Sequence, residues 1–504
     1  MARAAAHEHS QAGGPALLIG IVVFMSGAIV MVLELVGSRL LAPFFGNSLF
    51  VWTSLIGVML GFMALGGYLG GRLADRSLST SVLFWILITA AATIALVAFA
   101  EQPLLTKLAM QPDMKIAAVL SAALLFALPS TLLGMVSPYC TRLRLHALAD
   151  SGATVGSLYA ISTFGSIVGT FAAGFWLIAH VGSHDLVSWL AAAAAALSLL
   201  VAAPFTRRRV MGALGTIVLV IVAMQSTGTS AGSFDTQYDR YFIGHQIEEE
   251  TLRPVVTLSR DDYSIESATY KDNGEPYLLD YYDYYDIALA SVPEVRRTLL
   301  IGGGAFSYPR HQLGLHPGAI ADVVEIDPDL VEVARKTFGL DDDPRINVIV
   351  EDGRTFLNAS DETYDAILID AFKSAGSIPY QLATFESMSH CSRLLADDGV
   401  LAMNLIASTR GAGSRFLWAE YATLKAIFPN VEVFAVFDPA DPAGIQNIAI
   451  IAGKDPSTDL LAALAEVSPD HAARRVIPPS HIGPETAPII TDDFAPVDQY
   501  LMDL

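Results

Sequence analysis

The sequence predicts an α-helical transmembrane domain followed by an α/β domain, and three observations support this assignment. The chain has 504 residues, is 53% hydrophobic and has a mean hydropathy of +0.47, values that are too apolar for a soluble protein of this length. Long apolar runs fill the chain up to about residue 225. Beyond Gly232 the sequence changes to short apolar strands, charged helices and turns that contain Pro or Gly, and one strand ends in three consecutive glycines.

Six apolar runs have the roughly 17 to 25 residues that a helix needs to cross a bilayer. They occupy residues 17–36, 51–71, 82–100, 116–138, 154–179 and 185–204. A further run at residues 210–224 is shorter, so the sequence leaves six or seven spans open.

Small residues within these runs predict close packing between helices in lipid. The glycines at helical spacing are Gly57, Gly61, Gly66, Gly67, Gly70, Gly71, Gly165, Gly169 and Gly174. Glu34 lies inside the first run, where a carboxylate is costly, so it is a candidate functional residue with Arg39 as its partner. Hydrogen bonding between helices is the alternative role for Glu34.

The composition divides the chain into four segments. We predict an amino-terminal tail at residues 1–16, a transmembrane domain at 17–225, a linker rich in Ser, Thr and Gly at 226–233, and a soluble domain at 234–504. The net charge of -21 is concentrated in the soluble domain, which argues against nucleic-acid binding and permits cationic ligands. The 2 cysteines and the spacing of the 11 histidines suggest neither a disulfide framework nor a metal site.

The glycine-rich turn is the strongest indication of a ligand. Gly302, Gly303 and Gly304 end an apolar strand, where glycines let the chain turn tightly and bring its backbone against a ligand that faces the next helix. Glu325, about 20 residues later, ends the next strand and suits a ribose diol, because a carboxylate can accept from both hydroxyls. Asp327 belongs to the same strand-end motif.

Two further carboxylates follow the next two strands. Asp352, with Gly353 after it, comes after the strand Ile346–Val350 and is placed to accept from an adenine amino group. Asp370 ends the strand that begins at Tyr364, at the sheet edge where open α/β folds bind ligands. Together the four strand ends predict an adenosyl ligand in a Rossmann-like domain. A nicotinamide dinucleotide is less favoured, because the turn lacks the spaced G-x-G-x-x-G pattern.

These motifs resemble the spermidine synthase superfamily, and more closely the bacterial membrane-fused spermidine synthase-like proteins, also called fused major-facilitator/spermidine synthases. The resemblance covers nearly the full length. It rests on Leu300–Gly304, Val324–Asp329, Glu351–Gly353, Tyr364–Asp370, Ile378–Leu382, Glu34, Arg39, Gly156–Ala160, Tyr281–Tyr285 and Thr491–Asp498. The last of these could fold over the site or form a simple terminal turn.

The resemblance implies a role for each strand-end acid. Glu325 would hold the ribose, Asp352 the adenine, and Asp370 would deprotonate the attacking amine, since an ammonium is not a nucleophile. The sulfonium donor is electrophilic by itself, so no metal is required. The alternative for Asp370 is a carboxylate that caps a helix or loop.

The chain departs from the synthase pattern at two places. Ala305 and Phe306 stand where polyamine synthases carry an acid that holds the donor's amine, and Lys373 stands where they carry a second acid. Both changes favour a donor that keeps its carboxylate. S-adenosylmethionine therefore joins decarboxylated S-adenosylmethionine as a candidate donor, with methyl or 3-amino-3-carboxypropyl transfer as outcomes. A solvated loop charge is the alternative for Lys373.

An aromatic and acidic cluster before the glycine strand is the candidate acceptor site. Its predicted members are Tyr281, Asp283, Tyr284, Tyr285 and Asp286, to which the resemblance adds Tyr380 and Gln381. Carboxylates and aromatic faces can hold an ammonium by charge and cation–π contact. The alternative is a helix start whose tyrosines cover the sheet.

Basic residues in alternate loops set the expected orientation. The positive-inside rule makes the loops that hold them cytoplasmic, and they are Arg72, Arg76, Arg142, Arg144, Arg207, Arg208 and Arg209. A spanning helix at 210–224 would place the soluble domain outside the cytoplasm, whereas a re-entrant or interfacial helix would leave it inside. We expect a cytoplasmic domain, because the adenosylated cofactor is found there.

The sequence therefore predicts a membrane-anchored transferase in the bacterial inner membrane. It would move an aminopropyl or 3-amino-3-carboxypropyl group to an amine, either a polyamine or a lipid headgroup, and it leaves a homodimer open. Two alternatives are a methyltransferase and a non-catalytic sensor or transporter of polyamine or adenosyl ligands. Six or seven spans are few for a transporter built from paired six-span halves, which favours the enzyme.

Overall fold

The computed structural model describes residues 2–46, 48–111, 113–145, 151–201, 206–226, 232–248, 251–260, 265–272, 275–277, 279–371, 379–479 and 487–501. These residues form two compact units, Met1–Asp239 and Arg240–Leu504.

The first unit is helical. Its helices are α1 (Ala2–Phe45), α2 (Leu49–Arg76), α3 (Thr80–Ala109), α4 (Met114–Arg144), α5 (Ser151–Ala172), α6 (Ile178–His180), α7 (Ser183–Leu200) and α8 (Arg207–Ser226), and a π-helical turn (Ala173–Leu177) joins α5 to α6. A short strand, β1 (Ser233–Asp235), ends the unit.

Six of the helices in the described part of the chain are long and apolar enough to cross a membrane, which confirms the prediction of six such helices. Their candidate spans are Ala16–Phe45, Leu49–Arg76, Thr80–Ala109, Met114–Arg144, Gly152–Leu177 and Ser183–Leu200. The apolar part of α8, Arg209–Val222, is shorter. The segment predicted as a tail continues α1 as far as Ala2.

Only some of the membrane glycines pack against another helix. A Cβ atom on Gly66 of α2 would lie 2.1 Å from the carbonyl oxygen of Thr131 in α4, and one on Gly165 of α5 would lie 2.0 Å from that of Phe24 in α1. Gly70 and Gly169 make similar approaches one turn later. By contrast, a Cβ atom would meet nothing within 4 Å at Gly57, Gly61, Gly67, Gly71 and Gly174.

The two kinds of glycine provide a matched test of helix packing. We expect Gly66→Ala to lower the melting temperature of the protein in detergent, because α2 and α4 must move apart at a cost of about 1–3 kcal/mol. Gly67→Ala, one residue along the same helix, should leave it unchanged. Equal melting temperatures for the two variants would contradict this packing.

The carboxyl end of α1 is tied to the end of the first unit. The guanidinium of Arg39 donates to the carbonyl oxygens of Gln237 and Thr236, the latter at 2.6 Å. The amide of Ser183, which begins α7, donates to Asp235 Oδ2 at 3.0 Å. Five helical positions turn a side chain by about 140°, so Glu34 leaves α1 in a different direction from Arg39. The functional role of Glu34 stays a prediction.

The second unit begins with antiparallel strands and continues as an α/β domain. The strands are β2 (Arg240–Ile247), β3 (Pro254–Ser259), β4 (Ile265–Tyr270), β5 (Pro276–Tyr277), β6 (Arg297–Ile301), β7 (Ile320–Glu325), β8 (Ile346–Val350), β9 (Tyr364–Ile369), β10 (Leu395–Ala407), β11 (Asn430–Ala435) and β12 (Gln446–Gly453). The helices are α9 (Tyr282–Ala290), α10 (Ser307–Leu315), α11 (Pro328–Thr337), α12 (Gly353–Ala359), α13 (Phe385–Leu394), α14 (Arg415–Lys425), α15 (Leu460–Val467), α16 (Pro469–Ala472) and α17 (Val497–Leu501).

Seven strands form the main sheet, in the order β11-β12-β10-β9-β6-β7-β8. Strands β8, β7, β6, β9 and β10 run parallel, and β12 is antiparallel to its two neighbours. The strand order reverses between β6 and β9, which is where open α/β sheets bind ligands. The α/β Rossmann-like fold predicted from the sequence is confirmed.

Apolar side chains cover both faces of this sheet, as a parallel sheet requires. Ile301 and Ile369 pack in one cluster with residues of α13 and α14, whereas Leu300 and Leu368 pack in another with residues of α9. Because these neighbours alternate along β6 and β9, the two strands are buried on both sides and their polar residues are confined to the strand ends.

Candidate active site

The glycine turn after β6 requires glycine at two positions. Gly302 has φ +95°, and a Cβ atom there would lie 2.4 Å from the carbonyl oxygen of Asp370. Gly304 has φ +52°, and a Cβ atom there would lie 2.8 Å from Ser267 Oγ. Other residues are strained in this left-handed region. The turn therefore brings its backbone directly against the end of β9.

Phe306 ends the turn in an uncommon conformation. It has φ 61° although it is bulky and fully buried, and it precedes the first residue of α10. Such a residue is a conformational outlier that is held by its surroundings. Here β4 supplies the support: Ala305 N donates to Ser267 Oγ at 3.0 Å, and Ser307 Oγ donates to the carbonyl oxygen of Ala268 at 2.8 Å.

Glu325 lies directly beneath the glycine turn. Its side chain accepts from the amides of Gly303 at 2.9 Å, Gly304 at 3.2 Å and Asp327 at 2.9 Å, and the residue is only 6% exposed. Burial raises the pKa of Glu325, while these three N–H groups act in the opposite direction. The carboxylate thus holds the turn in place, so any contact with a ligand would come in addition.

The other two acids of the predicted adenosyl site cap helices. Asp327 is buried and accepts from Asp329 N at the start of α11. Asp352 Oδ1 accepts from Thr355 N at 2.9 Å and caps α12. Gly353 is needed there, because a Cβ atom would lie 2.6 Å from Ile301 Cγ2. Among the described residues no donor reaches Asp352 Oδ2, which leaves that oxygen available to a ligand.

Asp370 lies at the end of β9 beside the glycine turn. The hydroxyl of Tyr281 donates to its Oδ2 at 2.7 Å, and Asn404 Nδ2 donates to its Oδ1 at 3.4 Å. Burial raises the pKa of Asp370 to about 6, against the opposing effects of Tyr281, Asn404 and the charge of Arg260. A carboxylate with a pKa near neutrality can both accept and release a proton at the pH of a cell.

Sequence reasoning missed the amide pair that orients Asp370. Asn404 Oδ1 in β10 accepts from Asn447 Nδ2 in β12 at 2.9 Å. This hydrogen bond orients the side chain of Asn404 so that its Nδ2 faces Asp370. Asn404 interrupts the apolar run Val400–Ala407 of β10, whereas Asn447 follows Gln446 at the start of β12. A polar residue inside a buried strand was the available signal, but the pairing depends on a strand register that the sequence does not reveal.

Sequence reasoning also missed an ion pair near the same carboxylate. Arg260 follows β3, and its Nε lies 2.7 Å from Glu266 Oε1 in β4. Both side chains are about one fifth exposed, at 21% and 19%. The positive charge of Arg260 favours the ionised form of Asp370 and opposes the rise of its pKa. The Asp370 carboxylate therefore has a cation in its surroundings.

The structure divides the predicted acceptor cluster. Tyr281 contacts Asp370, and its ring packs edge-on against those of Tyr282 and Tyr285. Tyr285 donates to the carbonyl oxygen of Ile369 at 3.1 Å. Tyr284 instead donates to the carbonyl oxygen of Ala435 in β11 at 3.3 Å. Tyr281 is thus brought to the site, while Tyr284 covers the sheet.

The remaining predicted acceptor residues have other partners. Asp286 accepts from the Tyr308 hydroxyl at 3.0 Å and lies 2.7 Å from His311 Nε2. Asp283 lies 3.2 Å from His471 Nε2. Tyr380 and Gln381 form a 3-10 turn (Tyr380–Leu382), in which Tyr380 is half exposed. Lys373 lies outside the described residues.

In the described part of the chain no three His, Cys, Asp or Glu residues are grouped so that they could hold a metal ion. Carboxylates, tyrosines and backbone amides line the site, and this composition suits an adenosyl ligand and a proton transfer.

Residues 283–461 match the spermine/spermidine synthase domain family. Curated relatives include a "Probable polyamine aminopropyl transferase" of Bifidobacterium longum, 27% identical over 44% of this chain and 49% of its own, and a "Polyamine aminopropyltransferase" of Vibrio vulnificus, 27% identical over 38% and 62%. The chain thus spans about half to two thirds of the length of these relatives. The ends of β6, β7, β8 and β9 lie in the segment that matches the spermine/spermidine synthase domain.

Solved structures similar to this chain include a "probable spermidine synthase" from Corynebacterium glutamicum, with a TM-score of 0.40 and 21% identity over 47% of this chain and 85% of that one. Another is human methyltransferase-like protein 13 in complex with SAH, with a TM-score of 0.33 and 22% identity over 40% and 96%.

Proposed function

We propose that the protein is a membrane-anchored transferase of the spermidine synthase type. It moves an aminopropyl or 3-amino-3-carboxypropyl group from an adenosylated sulfonium donor to an amine. The observation that carries this proposal is Asp370, a carboxylate with a pKa of about 6 that lies beside the glycine turn and is hydrogen-bonded by Tyr281. The match of residues 283–461 to the spermine/spermidine synthase domain supports this type of chemistry.

The reaction needs one proton acceptor and no metal. The amine nitrogen attacks the carbon attached to the sulfonium, the carbon–sulfur bond breaks, and the bonding electrons stay on sulfur to give a thioether nucleoside. The proton of the amine passes to Asp370. Burial and the Asp370 carboxylate hold the pKa of Tyr281 well above its usual value, so Tyr281 stays protonated and orients the base.

We assign the adenosyl group to the edge formed by β6, β7 and β8. The backbone of Gly302–Gly304 approaches the donor, Glu325 accepts from the ribose while holding that turn, and Asp352 Oδ2 accepts from the adenine amino group. Asp327 and Gly353 support these positions, because they cap α11 and allow the close approach of α12 to β6.

The acceptor is an amine, either a polyamine or a lipid headgroup, and the bilayer is a partner. Tyr281 and Tyr285 provide an aromatic wall, and Asp370 attracts the ammonium. Six helices of spanning length support a multi-pass membrane protein. We place it in the bacterial inner membrane with the second unit on the cytoplasmic side, where the adenosylated cofactor is found.

Turnover that depends on an added amine distinguishes an enzyme from a sensor that only binds the donor. We expect the purified full-length protein, reconstituted in lipid, to consume a sulfonium donor only when an amine or a lipid extract with amine headgroups is added. Tight binding of donor without consumption across a broad amine panel would contradict the enzyme and support a sensor.

The surroundings of Asp370 favour a donor that keeps its carboxylate. Arg260 adds a cation there, Ala305 replaces the acid expected to hold the donor's amine, and Lys373 adds a positive charge three residues after Asp370 in the sequence. A cation stabilises a partly desolvated carboxylate and disfavours a purely cationic arm.

We therefore expect S-adenosylmethionine to bind at least as tightly as its decarboxylated form. Lys373→Asp and Arg260→Gln should each shift the affinity ratio towards the decarboxylated donor, and Lys373→Asp should reverse it. Competition binding of both donors measures the ratio, with Arg253→Gln at the opposite end of β3 as the control. A clear preference of the parent protein for the decarboxylated donor would refute this donor assignment and leave ordinary aminopropyl transfer.

A further inference from the structure

The segment at residues 490–497, here called the C-terminal strap, is packed onto the α/β unit. The amide of Ile490 donates to Thr423 Oγ1 in α14 at 3.0 Å, and the amide of Phe385 donates to the carbonyl oxygen of Ile490 at 2.7 Å. Ile490 and Val497 are each only 1% exposed. Both ends of the strap are therefore fixed, and this holds the polar residues between them against the surface of the α/β unit.

Asp492 makes the main polar contact of the strap. Its Oδ2 lies 2.6 Å from Arg354 Nη2, and its Oδ1 lies 3.2 Å from Arg354 Nη1. The buried hydroxyl of Thr384 donates to the same Oδ1 at 2.7 Å, and the amide of Asp492 donates to Glu386 Oε2 at 2.9 Å. A bidentate pair between guanidinium and carboxylate fixes direction as well as distance.

Arg354 connects this contact to the proposed donor site. It is the second residue of α12, directly after Asp352 and Gly353. Its Nη1 also donates to the carbonyl oxygen of Gln381 at 3.1 Å and to Thr384 Oγ1 at 2.9 Å. One guanidinium therefore joins the start of α12, the turn Tyr380–Leu382 and the strap.

We infer that Asp492 is a positioning residue for the adenosyl donor. It holds the guanidinium of Arg354, and through it the first turn of α12, so that Asp352 faces the adenine while the turn Tyr380–Leu382 stays beside it. Without Asp492 the guanidinium keeps only neutral acceptors, among them the carbonyl oxygen of Gln381 and Thr384 Oγ1, and α12 is held less firmly against the turn. This inference rests on the proposed function, because it takes Asp352 as the adenine-binding acid.

The test compares two neighbouring acids. We expect Asp492→Asn to weaken binding of S-adenosylhomocysteine, used as a non-reacting probe, by about tenfold, the scale of losing a charge-assisted hydrogen bond. The KM for the donor should rise by a similar factor, while kcat and the KM for the amine stay within about twofold. Asp493→Asn changes an exposed acid one residue away and should alter none of these values.

A second variant and a second measurement test the positioning role of Asp492 independently of the first. Arg354→Lys retains the positive charge but loses the bidentate geometry, so it should weaken probe binding in the same way. Hydrogen exchange of the probe-free protein should become faster at residues 352–359 and 379–384 in both variants. This local change is expected even where the melting temperature is unchanged.

The possible results distinguish a failure of the positioning role of Asp492 from a failure of the proposed function. A parent protein that binds neither the probe nor a donor would overturn the proposed function and this inference together. If the parent binds the probe and both Asp492→Asn and Arg354→Lys bind it with the same affinity as the parent, the positioning role of Asp492 is overturned and the proposed function stands. A lower melting temperature with unchanged probe affinity would also overturn the positioning role, because the role of Asp492 would then be structural only.

Discussion

Replacing Asp370 by asparagine is expected to lower turnover by about 100-fold or more, while the affinity for the adenosyl donor stays nearly unchanged. Asparagine has the shape of aspartate and can still accept from Tyr281, but it cannot take the proton of the amine. Turnover at saturating donor and amine, together with calorimetric titration of the donor, measures the two quantities separately.

The same carboxylate sets an expected pH dependence. Because burial raises the pKa of Asp370 to about 6, the ionised base is lost as the pH falls through that value, and kcat/KM should fall with it. The parent should therefore lose activity below about pH 6, whereas the residual activity of Asp370→Asn should not show this decline. Asp397→Asn, at a fully exposed acid, is the control. Equal activity of the parent and Asp370→Asn would refute the assignment of Asp370 as the general base.

Replacing Gly302 by alanine is expected to weaken donor binding and to lower turnover, since it moves the glycine turn itself. An alanine at φ +95° costs about 1–2 kcal/mol, and its Cβ atom would lie 2.4 Å from the carbonyl oxygen of Asp370. The turn and the end of β9 must then separate. We expect donor affinity to fall by at least about tenfold and turnover by more, unlike the selective effect of Asp370→Asn.

Gly314 provides the matched control for this substitution. It lies in α10, and a Cβ atom there would meet nothing within 4 Å, so Gly314→Ala should leave binding and stability unchanged or slightly improved. Thermal melting shows whether Gly302→Ala is folded. A folded Gly302→Ala variant with the donor affinity of the parent would contradict the proposed role of the turn.

The sheet and its strand ends could be predicted because they depend on local pattern. Apolar runs that end in Gly302, Glu325, Asp352 or Asp370 are placed by sequence order alone at one edge of a parallel sheet. The six apolar helices could be predicted for the same reason, since the length and composition of a segment determine whether it can form a membrane-spanning helix.

Contacts between distant segments could not be predicted. The Asn404–Asn447 pair depends on the register of two antiparallel strands, and Arg260 approaches Asp370 from a strand that precedes it by more than 100 residues. The same limit applies to the membrane glycines. Gly66 and Gly67 are equivalent in the sequence, and only the packing of α2 against α4 shows which of them is at the contact.

The nucleoside released from the donor tests the central claim most directly. Purified full-length protein is incubated separately with S-adenosylmethionine and its decarboxylated form, each with a membrane extract, and the products are identified by mass spectrometry. Transfer of an aminopropyl or 3-amino-3-carboxypropyl group predicts methylthioadenosine, in an amount equal to the alkylated amine and strongly reduced in Asp370→Asn. Release of S-adenosylhomocysteine instead would contradict the account, because it would show methyl transfer.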